Sequence, residues 1–148
     1  MKYSRYLNLI LMTSALAALC GCAMDRYQIG AKKLPADQVA VLVGPRFLGN
    51  MDVSYAIGGI DGVGKGFGMS GDYYLLPGSH AVTFYMTDPG FKGEYTVRFL
   101  ADAGHKYVTK PQVFQKERKW MVQILDSASN TVVSVPAPRP EWHDPNWE

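Results

Sequence analysis

Short segments in which apolar and polar residues alternate recur along this 148-residue chain, with glycine- and proline-rich turns between them. From Met51 to Ile57, for example, Met, Val, Tyr and Ile alternate with Asp, Ser and Ala, and His80 to Met86 alternates in the same way. A period of two places the apolar side chains on one face of a β-strand. Segments that recur every 8–12 residues or so predict an all-β fold.

About eight short strands are expected from this pattern. Pro111 lies inside one of them, which is typical of an edge strand because proline has no backbone N–H to donate. The sequence predicts an antiparallel β-sandwich or open barrel, preceded by a signal-peptide helix. The predicted strands cover residues 38–43, 51–57, 73–76, 80–86, 94–100, 105–114, 120–125 and 131–135.

The first residues have the layout of a secretory signal peptide. Lys2 and Arg5 are followed by a mostly apolar run from Tyr6 to Leu19, and small residues come next. A transmembrane helix needs about 20 apolar residues, and this run is shorter. We therefore predict a signal peptide over residues 1–21.

The end of that run, Leu19-Cys20-Gly21-Cys22, resembles the lipobox of bacterial lipoproteins. The resemblance implies that diacylglycerol is attached to Cys22, that the signal is cut just before it, and that the new amine is usually acylated too. Cys20 fits less well, because Leu19 would occupy the place of a small residue. Two or three acyl chains hold a protein firmly in a membrane, whereas one holds it only marginally.

The residue after the lipobox cysteine bears on localisation. An Asp at this position is typical of inner-membrane retention in Gram-negative lipoproteins, so Ala23 favours the outer membrane, although Asp25 follows two places later. The resemblance thus implies a protein anchored in the outer membrane through lipid on Cys22 and facing the periplasm.

Four segments follow from these features. They are the signal peptide (1–21), a lipidated tether (22–37), the β-sandwich domain (38–135) and a tail rich in proline and tryptophan (136–148). Cleavage removes 21 of the 148 residues and leaves 127, which suits one domain. Both cysteines lie at or before the anchor, so the mature domain has no thiol for a disulfide or a catalytic nucleophile.

Charge and glycine motifs exclude further functions. Lys2 and Arg5 leave with the signal peptide, so the mature chain has 13 basic and 13 acidic residues, and nothing predicts nucleic-acid binding. Gly59–Lys65 resembles a phosphate-binding loop, but Gly66 stands where Ser or Thr should ligate magnesium. Gly66–Gly71 matches a dinucleotide fingerprint without the surrounding βαβ unit. We predict no cofactor.

The same glycine-rich stretch, from Gly58 to Gly71, is predicted to form a loop or irregular hairpin. Phe67 and Met69 in this loop either turn inward or are exposed as contacts for a partner. In the tail, Trp142 and Trp147 could touch the membrane interface, where Trp is favoured, or dock on the sandwich or on a partner. A disordered tail is a further alternative.

Two histidines follow glycine turns at strand starts. If the strands run up and down, His80 and His105 begin strands at the same end, with Asp52 and Asp102 near that end. Such a cluster could bind a ligand or a metal ion. The alternative is that each histidine caps its turn and meets water. In the same arrangement, strand one would start and strand eight would end at the opposite end, near the anchor.

Four motifs within residues 38–135 contain turns or border them. They are Ile60-Asp61-Gly62, Leu75-Leu76-Pro77-Gly78-Ser79-His80, Ala103-Gly104-His105-Lys106-Tyr107 and Trp120 to Asp126. These motifs resemble those of small β-sandwiches of bacterial lipoproteins and PEGA-like domains. The resemblance implies a fold but no common enzymatic activity, and His105 between Gly104 and Lys106 departs slightly from the pattern.

No serine lies in a nucleophile motif. We therefore expect a non-enzymatic structural or adaptor role in the cell envelope, with the membrane and another envelope protein as candidate partners. The rival expectation is a module that binds a glycan, a small molecule or a metal. An exposed row of aromatic side chains on one sheet face would favour that rival.

Overall fold

The structure is a computed structural model that describes residues 24–28, 31–45, 55–64, 70–86, 91 and 93–141. In this part of the chain no helix is long and apolar enough to cross a membrane. Three short 3-10 helices cover Ala31–Lys33, Ala36–Gln38 and Gln115–Glu117. The strands are β1 (Met24–Tyr27), β2 (Ala40–Val43), β3 (Tyr55–Ile60), β4 (Val63–Gly64), β5 (Ser70–Leu75), β6 (Gly78–Met86), β7 (Gly93–Ala101), β8 (Lys106–Phe114), β9 (Lys119–Asp126) and β10 (Ser134–Pro136).

The described strands form two five-stranded sheets, which confirms the predicted all-β class with open sheets rather than a closed barrel. The first sheet has the order β1-β5-β2-β8-β9, and the second has the order β10-β7-β6-β3-β4. Most pairs are antiparallel, but β1 pairs with β5 and β2 with β8 in parallel. The sequence predicted an antiparallel sandwich, and the first sheet adds these two parallel pairs to it.

The two sheets enclose one apolar core. Phe99 of β7 meets Tyr107 of β8 edge to face, with ring centroids 5.0 Å apart. Further along, the Tyr55 hydroxyl lies 2.8 Å from Thr109 Oγ1 of the first sheet. The alternation seen in the sequence has its physical cause here, since every second residue of the central strands faces this core. Its largest fully buried apolar side chains include Leu42, Ile57, Ile60, Leu75, Phe84, Tyr107 and Ile124.

The segment predicted as a tether contributes a strand that the sequence did not predict. Met24–Tyr27 pairs with β5 at the edge of the first sheet. Side chains of this segment also hold β5, because Asp25 Oδ1 accepts from the Asp72 amide and Gln28 Oε1 accepts from the Leu76 amide. This strand was not predicted because a short, polar edge strand shows no alternation of apolar and polar residues. The described domain thus begins two residues after Cys22.

The glycine-rich stretch begins within a β-strand, with a register shift in its pairing to β6 between Ile57 and Gly59. β3 continues through Gly58 and Gly59, and a two-residue turn at Asp61-Gly62 leads into β4. Both turn residues have positive φ, 52° and 77°, which is the type I′ geometry that suits a tight hairpin. At Gly58 the Tyr85 ring occupies the space where a Cβ would lie. The turn of this hairpin is therefore at Asp61-Gly62, and Gly58 to Ile60 belong to its first strand. Residues 65–69, with Phe67 and Met69, lie outside the described residues.

Pro111 lies in β8, which is not the edge strand that the sequence predicted. β8 lies between β2 and β9 in the first sheet. However, β2 pairs only with residues 106–108 of β8, whereas β9 pairs with residues 107–114. Pro111 thus stands in the half of the strand that has β9 as its described neighbour, where a missing N–H costs no ladder bond on the other side. The outer half of β8 and the start of β9 form a hairpin that extends past β2.

The first residues of the predicted tail continue the second sheet. β10 pairs with β7 through Ser134 to Pro136, and the Ala137 amide donates to the Thr96 carbonyl. Further on, Arg139 forms an ion pair with Glu94, with an Nη1 to Oε2 distance of 2.7 Å. Residues 134–139 therefore run antiparallel along β7. Trp142 and Trp147 lie beyond the described residues.

Candidate functional site at the histidine end

Four turns meet at one end of the sandwich, and we call this the histidine end. They are Asp61-Gly62, Leu76 to Gly78, Asp102 to His105 and Ser127 to Asn130. The register brings them together, because Gly78 at the start of β6 lies opposite Ala101 at the end of β7. In the first sheet, Tyr107 near the start of β8 lies opposite Asp126 at the end of β9.

His80 joins two of these turns. Its Nδ1 lies 2.6 Å from Asp61 Oδ2, and its Nε2 lies 2.7 Å from the Leu76 carbonyl oxygen. Asp61 is itself fixed to β6, since its Oδ1 accepts from the Ala81 amide and its amide donates to the Ala81 carbonyl. The histidine side chain is only 5% exposed. It therefore holds the Asp-Gly turn and the Leu-Pro-Gly turn against each other from inside the domain.

The hydrogen bonds of His80 favour its charged form. The Leu76 carbonyl can only accept, so Nε2 carries a hydrogen, and an ionised Asp61 needs a second hydrogen on Nδ1. Burial opposes the charge and lowers the pKa of His80, but the bonds to Asp61 and Leu76 and the charge of Asp61 together outweigh it. The pKa of His80 is raised above its usual value of 6.5. The pair thus joins a buried imidazole to a carboxylate that is 34% exposed.

A second pair lies at the surface of the same end. Nδ1 of His105 is 2.7 Å from Asp126 Oδ2, and the His105 side chain is 52% exposed. Asp126 closes the turn after β9, because its Oδ1 accepts from the Ala128 and Ser129 amides and from the Ser129 hydroxyl. The bond from His105, followed by those from Ser129 and Ala128, lowers the pKa of Asp126 to about 2. The Asp126 bond in turn raises the pKa of His105.

The structure places His80 and His105 at the same end, as predicted, but pairs each with a different acid. A row of ring contacts links them, with centroid distances of 6.1 Å from His80 to Phe99, 5.0 Å from Phe99 to Tyr107 and 6.2 Å from Tyr107 to His105. Among the described residues, no group of three or more His, Cys, Asp and Glu side chains could hold a metal ion.

Of the two acids selected from the sequence, Asp102 is described, whereas Asp52 lies outside the described residues. The Asp102 amide donates to the Tyr107 hydroxyl, and the charge of Asp102 adds to the rise in the pKa of His105. β3 begins at Tyr55, opposite Met86, at the end away from the histidines. The predicted ligand set was His80, His105, Asp102 and Asp52. Among the described residues, each histidine of that set pairs with an acid outside it, His80 with Asp61 and His105 with Asp126.

Sequence reasoning missed Asp61 and Asp126 as the partners of the histidines. A signal was present for each, since Asp61-Gly62 is a hairpin turn pair and Asp126 precedes a polar turn. Both residues stand in the motifs that carry the resemblance to small lipoprotein sandwiches. The structure gives those motifs a physical role, because they supply the turns and the His–Asp bonds of one end of the domain.

The histidine end offers little chemistry beyond this. The Ser129 hydroxyl donates to Asp126 and not to His105, so the imidazole is not placed to activate it as a nucleophile. Of the four side chains in these two pairs, His105 is the most exposed. The arrangement is suited to holding turns together. The remaining predicted site residues, which are Cys22, Phe67, Met69, Trp142 and Trp147, lie outside the described residues.

We expect the stability of the domain to depend on pH with a defined sign. A histidine whose pKa is raised on folding stabilises the fold below about pH 6.5, and this contribution is lost as the pH rises through the raised value. The lowered pKa of Asp126 has the opposite effect, since its contribution is present above about pH 4 and is lost as the pH falls towards 2. The urea midpoint should therefore be highest near pH 5–6 and lower at pH 8.

Histidine variants test which side chains cause this pH dependence of stability. His80→Gln and His105→Gln should each remove part of the loss between pH 6 and 8, measured by urea unfolding at a series of pH values. An equally steep loss in the double variant would mean that other groups are responsible.

Comparison with protein-family models, curated proteins and solved structures finds no match to this chain.

Proposed function

We propose that the protein is a lipid-anchored lipoprotein of the bacterial cell envelope with a non-enzymatic structural or adaptor role. The proposal places the lipid on Cys22, the anchor in the outer membrane and the domain in the periplasm. The observation that carries it is the lipobox-like Leu19-Cys20-Gly21-Cys22 directly ahead of a folded strand at Met24. In such a lipoprotein the folded domain begins almost directly after the lipid attachment site.

The use of the polar residues supports a non-enzymatic role. His80, Asp61 and Asp126 are all engaged in holding turns. The buried hydroxyls of Thr83 and Thr96 are hydrogen-bonded to each other at 3.0 Å. An active site would need polar groups directed at a substrate rather than at each other.

The aromatic residues bear on the rival proposal of a ligand-binding module. Tyr73 and Tyr107 are buried, and Tyr55, Tyr95 and Trp120 pack against the core. These five side chains therefore do not form the exposed aromatic row that a glycan platform would present. This observation favours the structural or adaptor role.

Capture from intact cells tests the adaptor role. Cells expressing the protein would be crosslinked, and the lipoprotein would be purified from solubilised envelopes. Three variants locate the contact surface. They are a chain ending at Glu141, the pair Phe67→Ser with Met69→Ser, and Leu100→Ser on the outer face of β7, where Leu100 is 62% exposed.

We expect one envelope protein to be enriched with the parent chain and lost with one of the three variants. Lys106→Ser, a change of an exposed side chain at the start of β8, serves as the matched control. Capture at the level of an unrelated lipoprotein would contradict the adaptor role, and the soluble domain would then be screened against glycans and metal ions.

A further inference from the structure

The strand directions fix which end of the domain receives the anchor. β1 is parallel to β5, and Met24 lies opposite Ser70 at the beginning of that strand. Leu75, at the other end of β5, leads into the turn at the histidine end. The chain therefore enters the domain at the end away from the histidines, which we call the anchor end. The sequence placed the start of β2 there, but β2 starts at the histidine end, since Val41 pairs with Lys106.

The β8–β9 hairpin extends in the same direction. The pairings of Val43 with Asp72 and with Val108 put these residues at one level across the sheet. Met24, opposite Ser70, is then level with Lys110. Phe114 is four residues further along β8, or about 13 Å at about 3.3 Å per residue. The tip of the hairpin is thus the part of the first sheet that reaches furthest towards the anchor end.

The lipid attachment point lies within a short reach of the same level. Cys22 precedes Met24 by two residues, which span at most about 7 Å. The first strand of the domain therefore lies within a short distance of the bilayer surface. A hairpin that extends about 13 Å past Met24 reaches the headgroup layer whenever the sheet stands on the membrane by this end.

The hairpin tip has the composition of a membrane-surface contact. Phe114 is 42% exposed, although a large aromatic side chain is usually buried in a water-soluble domain. Four exposed cations lie within five residues of Phe114 in the chain, and Glu117 is the acid among them. None of these cations forms an ion pair with another described residue. They are Lys110, Lys116, Arg118 and Lys119. Because the mature chain is neutral as a whole, this net positive charge is a local feature.

Arg118 forms the turn between the two strands of the hairpin. It ends the 3-10 helix Gln115–Glu117 in the left-handed conformation, with a φ of 50°, and its amide donates to the Gln115 carbonyl. Its side chain is exposed and forms no ion pair with another described residue. The guanidinium is therefore accessible to a partner outside the described chain.

We infer that the tip of the β8–β9 hairpin, residues 114–119, rests on the headgroup layer of the membrane that holds the anchor and binds anionic phospholipids there. Lys116, Arg118 and Lys119 contact headgroup phosphates, and Phe114 enters the interface between headgroups and acyl chains. This contact orients the domain so that the histidine end points away from the membrane. The inference rests on the proposed lipid anchor at Cys22.

A fluorescent probe at the tip tests the inference in the lipidated protein. The mature chain has no cysteine other than Cys22, which the lipid blocks, so Glu117→Cys supplies one thiol for an environment-sensitive dye. Ser79→Cys, on an exposed residue near the histidine end, gives the matched control. Both proteins would be reconstituted in vesicles of phosphatidylcholine with or without phosphatidylglycerol, with a nitroxide quencher on the headgroups.

We expect the dye at position 117 to be blue-shifted and quenched several-fold more than the dye at position 79, and more strongly with phosphatidylglycerol. Changing Lys116, Arg118 and Lys119 to Gln should abolish the phosphatidylglycerol effect while leaving the thermal midpoint unchanged. Equal quenching at the two positions would overturn the inference. It would also be overturned if the effect of phosphatidylglycerol on quenching at position 117 were the same in the triple Gln variant.

The outcome is separable from that of the proposed function. If mass spectrometry of the purified chain finds no lipid on Cys22, the proposed function fails. The hairpin is then judged by co-sedimentation of the same chain with phosphatidylglycerol vesicles. Binding that the triple Gln variant loses supports the membrane contact, and an absence of binding overturns it.

Discussion

Replacing Cys22 with Ser should move the protein from the membrane fraction to the soluble fraction of the envelope. The thiol is the atom that the lipobox resemblance assigns to diacylglycerol, and a hydroxyl does not substitute for it. Two or three acyl chains give firm attachment, whereas the charged hairpin alone gives weak, salt-sensitive attachment. We expect nearly all of the parent protein in the membrane pellet and nearly all of Cys22→Ser in the supernatant, by immunoblot after high-salt washing.

Cys20→Ser is the matched control for that experiment. It changes a cysteine two residues away, in the segment that the signal peptidase removes, and should leave the protein in the membrane pellet. Release by Cys20→Ser with retention of Cys22→Ser would move the anchor to the other cysteine. Retention of both variants as chains from which the signal peptide has been removed would contradict lipid anchoring altogether.

Replacing His80 with Ala should destabilise the domain by about 2–4 kcal/mol, because a buried hydrogen-bonded partner is removed and its acceptors are left behind. The Leu76 carbonyl loses its donor, and Asp61 loses a hydrogen bond at 2.6 Å. The ring contact with Phe99 is lost as well. Domains of this size are stable by about 5–15 kcal/mol, so the loss is a large share of the whole.

Urea unfolding at pH 6 measures this loss, with Ser79→Ala as the neighbouring exposed control, which should stay within about 0.5 kcal/mol of the parent. A double-mutant cycle with Asp61→Asn isolates the pair. We expect a coupling energy of about 1–3 kcal/mol, since Asn can keep the turn but not the charge. Additive effects of the two changes would mean that His80 acts through packing alone.

Alternation of side chains predicted most of the central strands of the sandwich, and the reason is physical. Strands such as β6 and β7 bury one face, so Val82, Phe84, Val97 and Phe99 had to be apolar at every second position. β1 showed no such pattern because an edge strand of four residues is held by backbone bonds and by polar side chains such as Gln28. The parallel pairing of β1 with β5 and of β2 with β8 left no mark in the sequence either.

The candidate site could be predicted only in part. Turn chemistry placed His80 and His105 at strand starts, and the structure brings both to one end of the sandwich. Their partners could not be selected, because the pairing of Asp61 with His80 depends on a tight turn at Asp61-Gly62, whereas the sequence predicted only a glycine-rich loop or irregular hairpin. The short strand β4 also adds a reversal of chain direction that the assumed up-and-down order did not include, so β3 begins at the end away from the histidines rather than at their end.

The charged hairpin shows the limit of local reasoning. Lys116 to Lys119 reads in the sequence as a solvated turn, and nothing in the turn itself indicates more. What suggests a function for the hairpin is its position, since β8 extends past β2 towards the end of the domain where β1 begins. Only the sheet order supplies that relation.

Mass spectrometry of the protein purified from envelopes tests the central claim most directly. The account predicts a mature chain that begins at Cys22 and carries a diacylglycerol on its sulfur, with acylation of the new amine as a further mass increment. A chain that begins at another residue, or a Cys22 without lipid, would contradict it.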